Sequence, residues 1–322
     1  MKTKQTIIAV TANAFSRNET LVRALKKYFP NVTLNAKGRY STEDLIEVLK
    51  VSDGAIVGLD KITDAVLAEC PRLKIVAKYG VGLDNIDLEA AKKRGVEIAW
   101  VGGVNKRSVA EMTLGFMLGL MRNLYPTSHQ LKQGTWNKSG GKNLTGKTIG
   151  IIGVGHIGKD VVSLLAPYDA RILVNDIRKD KEQKAFYKKY NLTEATKERI
   201  FKEADIITVH TPLTDTTEHL LDSKAFAMMK RTAFVINTSR GGIVEEAALL
   251  KALNNKMIAG AGLDVYERED VPDFHATPFY RELLALPNVI STPHIGGNSE
   301  EAVLAMGQSA IKGLREHFGK SH

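Results

Sequence analysis

Short apolar runs alternate with helix-period stretches through the first third of the chain. Residues 6–11, 32–34, 55–57, 75–78 and 97–100 are rich in Val, Ile and Ala and bounded by turn residues, as strands are. Between them, Leu21, Val22, Leu25 and Tyr28 recur at helical spacing before Phe29-Pro30, and residues 42–49, 65–69 and 88–94 repeat that period. Strand–helix alternation predicts a parallel sheet with right-handed crossovers. Residues 108–122 then carry Val109, Met112, Leu114, Phe116, Met117, Leu118 and Leu120, too apolar for a surface helix, which predicts burial between two domains. Residues 134–146, rich in Gly, Asn and Lys, read as a loop. A second alternating block follows, with strands at 148–153, 171–175, 206–210, 233–237, 258–264 and 289–292. Helices are expected at 157–165 and 245–253, and an amphipathic one at 299–318. The fold class expected is α/β, with two doubly wound parallel-sheet domains.

Composition narrows the class. A chain of 322 residues fits two domains, at roughly 150 residues each. With 43% hydrophobic and 25% charged residues it is an ordinary globular sequence, not a disordered, collagenous or disulfide-built one. The one cysteine, Cys70, allows no internal disulfide and no zinc site by itself, and no metal is expected. No stretch approaches the ~18 apolar residues of a membrane span, and residues 1–14 read as a first strand rather than a signal peptide. A cytoplasmic protein is expected. The net charge of +9 is spread among acids, as in Lys92, Lys93, Arg94 and Glu97; the densest run, 178–189, includes Asp180 and Glu182 and reads as an exposed helix. With no zinc-finger spacing or RNA-binding aromatic motif, no nucleic-acid partner is expected, and the charge serves at most to attract small anions.

Gly153-Val154-Gly155-His156-Ile157-Gly158 matches G-x-G-x-x-G. Alone the pattern is weak, but here it follows a strand and opens an apolar helix. Gly153 allows the tight turn, Gly155 lets backbone approach a pyrophosphate, and Gly158 permits close helix–strand packing. The helix N-terminus offers N–H groups and a positive dipole end. Asp176 closes the next strand, where a carboxylate binds an adenosine ribose and repels a 2′-phosphate. The cofactor expected is NAD, with Arg178 and Lys179 as the nearby cations that oppose the preference.

Moving a hydride to or from a carbonyl requires a proton at the same time, and histidine titrates in the right range. A neighbouring carboxylate raises its pKa, and an arginine holds a substrate carboxylate. Two histidines, His210 and His294, lie at predicted strand ends, and position alone does not choose between them.

The chain resembles the D-isomer-specific 2-hydroxyacid dehydrogenase family over nearly its whole length. The resemblance is carried by the glycine motif with Asp176, by His210-Thr211-Pro212-Leu213-Thr214, by Asn237-Thr238-Ser239-Arg240-Gly241-Gly242, by Gly262-Leu263-Asp264-Val265, and by Thr292-Pro293-His294-Ile295-Gly296-Gly297. It implies Arg240, Glu269 and His294 as the catalytic residues, with His294 as acid/base. It implies His210, Thr211 and Pro212 in the adenosine pocket, Thr238, Ser239 and Gly296 along the cofactor, and Asp264 on the nicotinamide amide. It also implies a Rossmann NAD domain, 105–294, inserted into a flavodoxin-like substrate domain, 1–104 with 295–322. Two helices would bridge the domains, over a cleft that closes on substrate. A homodimer is implied through the helix at 108–122.

The segment Lys78-Tyr79-Gly80-Val81-Gly82-Leu83-Asp84-Asn85 is similar to the family's substrate loop, with the amides of Val81 and Gly82 on the substrate carboxylate. Lys78 lies where phosphoglycerate and hydroxypyruvate enzymes carry a basic residue, and Asn35-Ala36-Lys37-Gly38-Arg39 also resembles the phosphoglycerate dehydrogenase branch. Lys37, Arg39, Lys61 and Lys78 are therefore candidates for a phosphate pocket, although each alone reads as a surface charge. The chain departs from the family in having Gly102 where many members have proline. It also ends at His322, without room for the regulatory domains of long phosphoglycerate dehydrogenases. The substrates expected are 3-phosphoglycerate (as phosphohydroxypyruvate in reverse), hydroxypyruvate or glyoxylate. The alternative is an NAD(H)-sensing binding protein of the same fold, akin to corepressors.

Overall fold

The computed structural model describes residues 5–269 and 271–319. Residues 1–4, 270 and 320–322 lie outside the described residues, and with them both ends of the expected substrate domain. The chain divides into two compact units, one formed up to Asn105 and from Gly297 onward, the other by Lys106–Gly296.

The first unit is built on five parallel strands, β1 (Ile7–Val10), β2 (Asn31–Leu34), β3 (Gly54–Val57), β4 (Ile75–Lys78) and β5 (Glu97–Ala99). Their order is β2-β1-β3-β4-β5, the flavodoxin-like doubly wound order, with the switch point between β1 and β3. β3 and β4 are buried on both faces, which is why they read as unbroken apolar runs. Helices cover both sides. Leu21, Leu25, Phe15 and Leu314 fill one layer, and Leu45, Leu49, Val66 and Leu67 the other. Each fully buried chain of this size contributes about 1.5–3 kcal/mol. The helices start where the sequence supplies caps: Ser41 accepts from the Asp44 N–H, Thr63 from Val66 and Asp87 from Ala90. The last helix, Glu300–Gly319, packs against β4 and β5 of this unit.

The second unit holds seven parallel strands: β6 (Thr148–Ile152), β7 (Arg171–Asn175), β8 (Thr193–Glu194), β9 (Ile206–Val209), β10 (Phe234–Asn237), β11 (Gly260–Leu263) and β12 (Val289–Ser291). The order β12-β11-β10-β9-β6-β7-β8 reverses direction at β6, between β7 and β9, as in the Rossmann fold. The apolar helix is Lys106–Met121; within this unit it lies against helix His156–Leu165 and strands β10–β12, with Phe116 packed on Gly262. Among the described residues no helix is long and apolar enough to cross a membrane.

Helices Leu124–Lys132, Lys197–Glu203, Ser223–Met228 and Pro278–Ala285 and the short β8 are absent from the expectations above. The strand expected at 258–264 is shorter, Gly260–Leu263; Asp264, just past its end, bonds the loop after β12.

Candidate active site

Three loops leave the carboxyl ends of β10, β11 and β12, where ligands of open α/β sheets bind. After β10, the buried side chain of Asn237 folds the chain back: its Oδ1 accepts from the Ser239 N–H (3.0 Å) and hydroxyl (2.8 Å), and its Nδ2 donates to the Arg240 carbonyl (2.7 Å). Arg240 follows this turn and donates through Nη1 to the Ser239 carbonyl at 2.7 Å. Thr238 is buried, its hydroxyl 3.0 Å from that of Thr113.

After β12, His294 adopts φ +52°, a left-handed backbone uncommon outside glycine. Asp264, 1% exposed at the end of β11, holds this turn in place. Its carboxylate accepts from Ile295 N–H (2.8 Å), Gly296 N–H (2.8 Å) and the Thr292 hydroxyl (2.6 Å), while its carbonyl accepts from His294 N–H (2.8 Å). Three donors on one buried carboxylate offset a backbone strain of about 1–3 kcal/mol.

After β11, Glu269 meets the histidine: its Oε1 lies 2.8 Å from His294 Nδ1, and its Oε2 accepts from the Tyr266 N–H at 3.3 Å. This hydrogen bond holds the His294 imidazole above its ordinary 6.5; burial opposes the shift, the charges of Glu269 and Asp264 add to it, and that of Arg240 subtracts. Arg240, Glu269 and His294 are thus brought together. His210 is elsewhere in character. Burial pushes its ring well below the ordinary histidine range, which disfavours the charged form.

The β6–helix turn fits a dinucleotide. Gly153 has φ +91°, and a Cβ on Gly158 would lie 2.1 Å from the Gly153 carbonyl oxygen, so helix His156–Leu165 sits as close to β6 as only glycine permits. Gly155 caps that helix with no side-chain bond, and a Cβ there would meet nothing within 4 Å, leaving its backbone open. His156 is exposed and Ile157 half-buried beside it. Asp176, at the end of β7, reaches back to this turn, accepting from Val154 N–H at 2.6 Å and from Arg178 N–H at 2.7 Å. Arg178 donates to the Val154 carbonyl and to Gln183, and Lys179 pairs with Glu194. Among the described residues, His210 Nδ1 and Thr211 Oγ1 are buried without a hydrogen-bond partner next to Gly153, and Pro212 follows at the surface. Orphaned polar atoms of this kind call for a polar ligand. The residues present therefore suit NAD, with its pyrophosphate at the glycines and its ribose at Asp176.

In the first unit, the cations of the expected phosphate pocket have other partners. Lys78 is 5% exposed, and its Nζ donates to the Gly58 carbonyl (2.5 Å) and to Asn85 Oδ1 (2.6 Å). It ties the end of β3 to the loop after β4 and is not presented to solvent. Lys37 pairs with Asp44 at 2.6 Å. Arg39 and Lys61 are exposed. Val81 and Gly82 are half-buried, and the Val81 carbonyl accepts from the Trp100 indole at 2.7 Å. Asn237, named above only as part of a motif, shapes the Arg240 turn, and Glu246 and Tyr280, which lie behind Glu269, escaped the sequence reading.

A family model described as the D-isomer specific 2-hydroxyacid dehydrogenase, NAD binding domain, matches residues 114–296. A hydroxypyruvate reductase of Thermotoga maritima is 34% identical, over 86% of this chain and 88% of its own. A D-3-phosphoglycerate dehydrogenase of Methanocaldococcus jannaschii is 38% identical over 85% of this chain, which spans about half (51%) of that protein. The crystal structure of D-lactate dehydrogenase with NAD⁺ from Lactobacillus jensenii superposes with a TM-score of 0.78 at 32% identity, covering 98% of this chain and 97% of its own.

Proposed function

The chain belongs to the D-isomer-specific 2-hydroxyacid dehydrogenase family and is an NAD-dependent oxidoreductase of 2-hydroxy acids, and from that premise we propose that it reduces a short, unphosphorylated 2-oxo acid, hydroxypyruvate or glyoxylate, with His294 moving the proton. The observation that carries this reading is the 2.8 Å contact between Glu269 Oε1 and His294 Nδ1 on the turn held by Asp264. NAD, held by the Gly153–Gly158 turn, would serve as the two-electron carrier. With Nδ1 committed to Glu269, the exchangeable proton of His294 is on Nε2. Protonated His294 gives that proton to the carbonyl oxygen as the carbon is reduced. In the reverse direction neutral His294 takes the hydroxyl proton, and Glu269 stabilises the imidazolium that forms. Arg240 orients and polarises the 2-oxo acid through its fixed fork of donors. To Val81 and Gly82 we assign the substrate carboxylate. Asp264 serves the site first by shaping the His294 turn.

The engaged ammonium groups of Lys78 and Lys37 support an unphosphorylated substrate. We also assign a homodimer: helix Leu124–Lys132 buries none of its residues and exposes Leu124, Tyr125 and Leu131, with Trp136 close behind.

The test is NADH consumption with hydroxypyruvate, glyoxylate, pyruvate and phosphohydroxypyruvate. A higher kcat/KM for hydroxypyruvate or glyoxylate than for phosphohydroxypyruvate is expected. The reverse order would restore a phosphate pocket on Arg39 and Lys61, and no turnover with any of them would refute the assignment.

A further inference from the structure

Behind the Glu269–His294 pair lies a second group of ionisable side chains that the proton transfer does not use. Glu246 opens helix Glu246–Asn254 and is 2% exposed. Its backbone N–H donates to Glu267 Oε1 at 3.0 Å, and its own Oε1 accepts the backbone N–H of Glu267 at 3.0 Å. The two glutamates therefore cap one another's main chain. The Tyr280 hydroxyl of helix Pro278–Ala285 donates to Glu246 Oε2. His219 Nε2 lies 3.3 Å from Glu267 Oε1 on the outer side.

This clasp sits where two site-bearing segments meet. From Glu246 the chain runs back through Gly241–Ile243 to Arg240. From Glu267 it runs forward to Glu269. The segments are already in contact: a Cβ on Gly241 would lie 2.0 Å from the Tyr266 carbonyl carbon and 2.4 Å from Glu267 N. We propose that Glu246 is a positioning residue for the reaction, fixing the Glu269 segment against the Arg240 segment through its reciprocal bonds with Glu267.

A buried acid is an expensive way to fill space, and an apolar side chain of similar volume would be cheaper if packing were all that was needed. The groups that face it are Glu267 and Glu269 from the loop after β11 and Tyr280 from its helix. Burial pushes the Glu246 carboxyl up to about 7; the bonds from Tyr280 and the Glu267 backbone pull it down, and the charges of Glu267 and Glu269 push it further up. Both its protonation states keep an oxygen for the Glu267 N–H, so the clasp survives across the working range.

The inference rests on the assignment of His294 as the proton carrier, and the test separates the two. Glu246→Ala and Glu246→Gln are compared with the wild-type enzyme by kcat against pH for 2-oxo acid reduction and by NADH binding. Glu246→Ala should lower kcat roughly tenfold to hundredfold, the cost of a small misplacement, with NADH affinity kept. It should also lower the pH midpoint, because His294 loses its aligned carboxylate. Glu246→Gln, which keeps an acceptor oxygen, should restore both. If Glu246→Ala proves too unstable to assay, Glu267→Ala, at the partly exposed end of the clasp, should shift the midpoint the same way. A midpoint that stays in place in the folded variant, or a kcat loss accompanied by loss of NADH binding, would overturn the proposal. If instead His294→Ala kept wild-type turnover, the proton-carrier assignment itself would fail.

Discussion

Replacing Glu269 by glutamine keeps the length of the side chain and removes its charge. The bond it alters is 2.8 Å long and is the largest cause of the raised pKa of His294. A hydrogen bond to a charged group contributes about 1.5–3 kcal/mol. The His294 side chain is 43% exposed and that of Glu269 32%, so solvent screening reduces this to about 1–2 kcal/mol. At about 1.4 kcal/mol per pH unit, the His294 midpoint should fall by roughly one unit. The sign follows from which form works. Reduction needs protonated His294, so its rate is full below the raised pKa and is lost as pH rises through it. In Glu269→Gln the loss begins at lower pH, and reduction on the alkaline side of the wild-type midpoint falls roughly tenfold beyond any pH-independent loss. Oxidation needs neutral His294, and its rise moves to lower pH as well. The assay is the initial rate of NADH absorbance loss at saturating 2-oxo acid over about pH 5.5 to 9. A folded variant whose midpoint matches wild type would show that Glu269 does not set the proton affinity of His294.

Two further changes probe the remaining assignments. Asp176→Ala removes the carboxylate at the β6 turn; kcat/KM for NADH should fall roughly tenfold or more while NADPH gains relative to it, and an unchanged NADH/NADPH ratio would remove Asp176 from ribose recognition. Lys78→Met leaves the Gly58 carbonyl and the Asn85 amide without their ammonium; denaturant titration should show a loss of about 2–4 kcal/mol, with phosphohydroxypyruvate and hydroxypyruvate affected equally. A selective loss for the phosphorylated acid would return Lys78 to the substrate.

The sheet was legible because parallel strands are buried on both faces and so appear as short unbroken apolar runs, as Ile75–Lys78 and Arg171–Asn175 do with their ends correct. Two of the helices that escaped have little apolar signal. Leu124–Lys132 buries nothing, and Lys197–Glu203 shows only Ile200 and Phe201 as apolar positions. At the site, glycine spacing and strand-end position located the dinucleotide turn, and the family resemblance selected His294 over His210. Residue type does not show what an ammonium or a carboxyl meets in space. Lys78 is a candidate phosphate ligand by residue type and family position, whereas in space its ammonium bonds Gly58 and Asn85. Glu246 carries no signal in the sequence, because the loop that buries it returns from beyond β11. The lowered proton affinity of His210 is likewise a consequence of burial, which its neighbours in sequence do not report.

The most direct measurement compares wild type with His294→Ala in two ways: NADH consumption with hydroxypyruvate or glyoxylate, and NADH binding by fluorescence. The proton-carrier assignment predicts a loss of roughly a hundredfold or more in turnover with NADH affinity within about twofold of wild type, since His294 moves the proton while the β6 turn holds the cofactor. Turnover at the wild-type rate in the variant would contradict it.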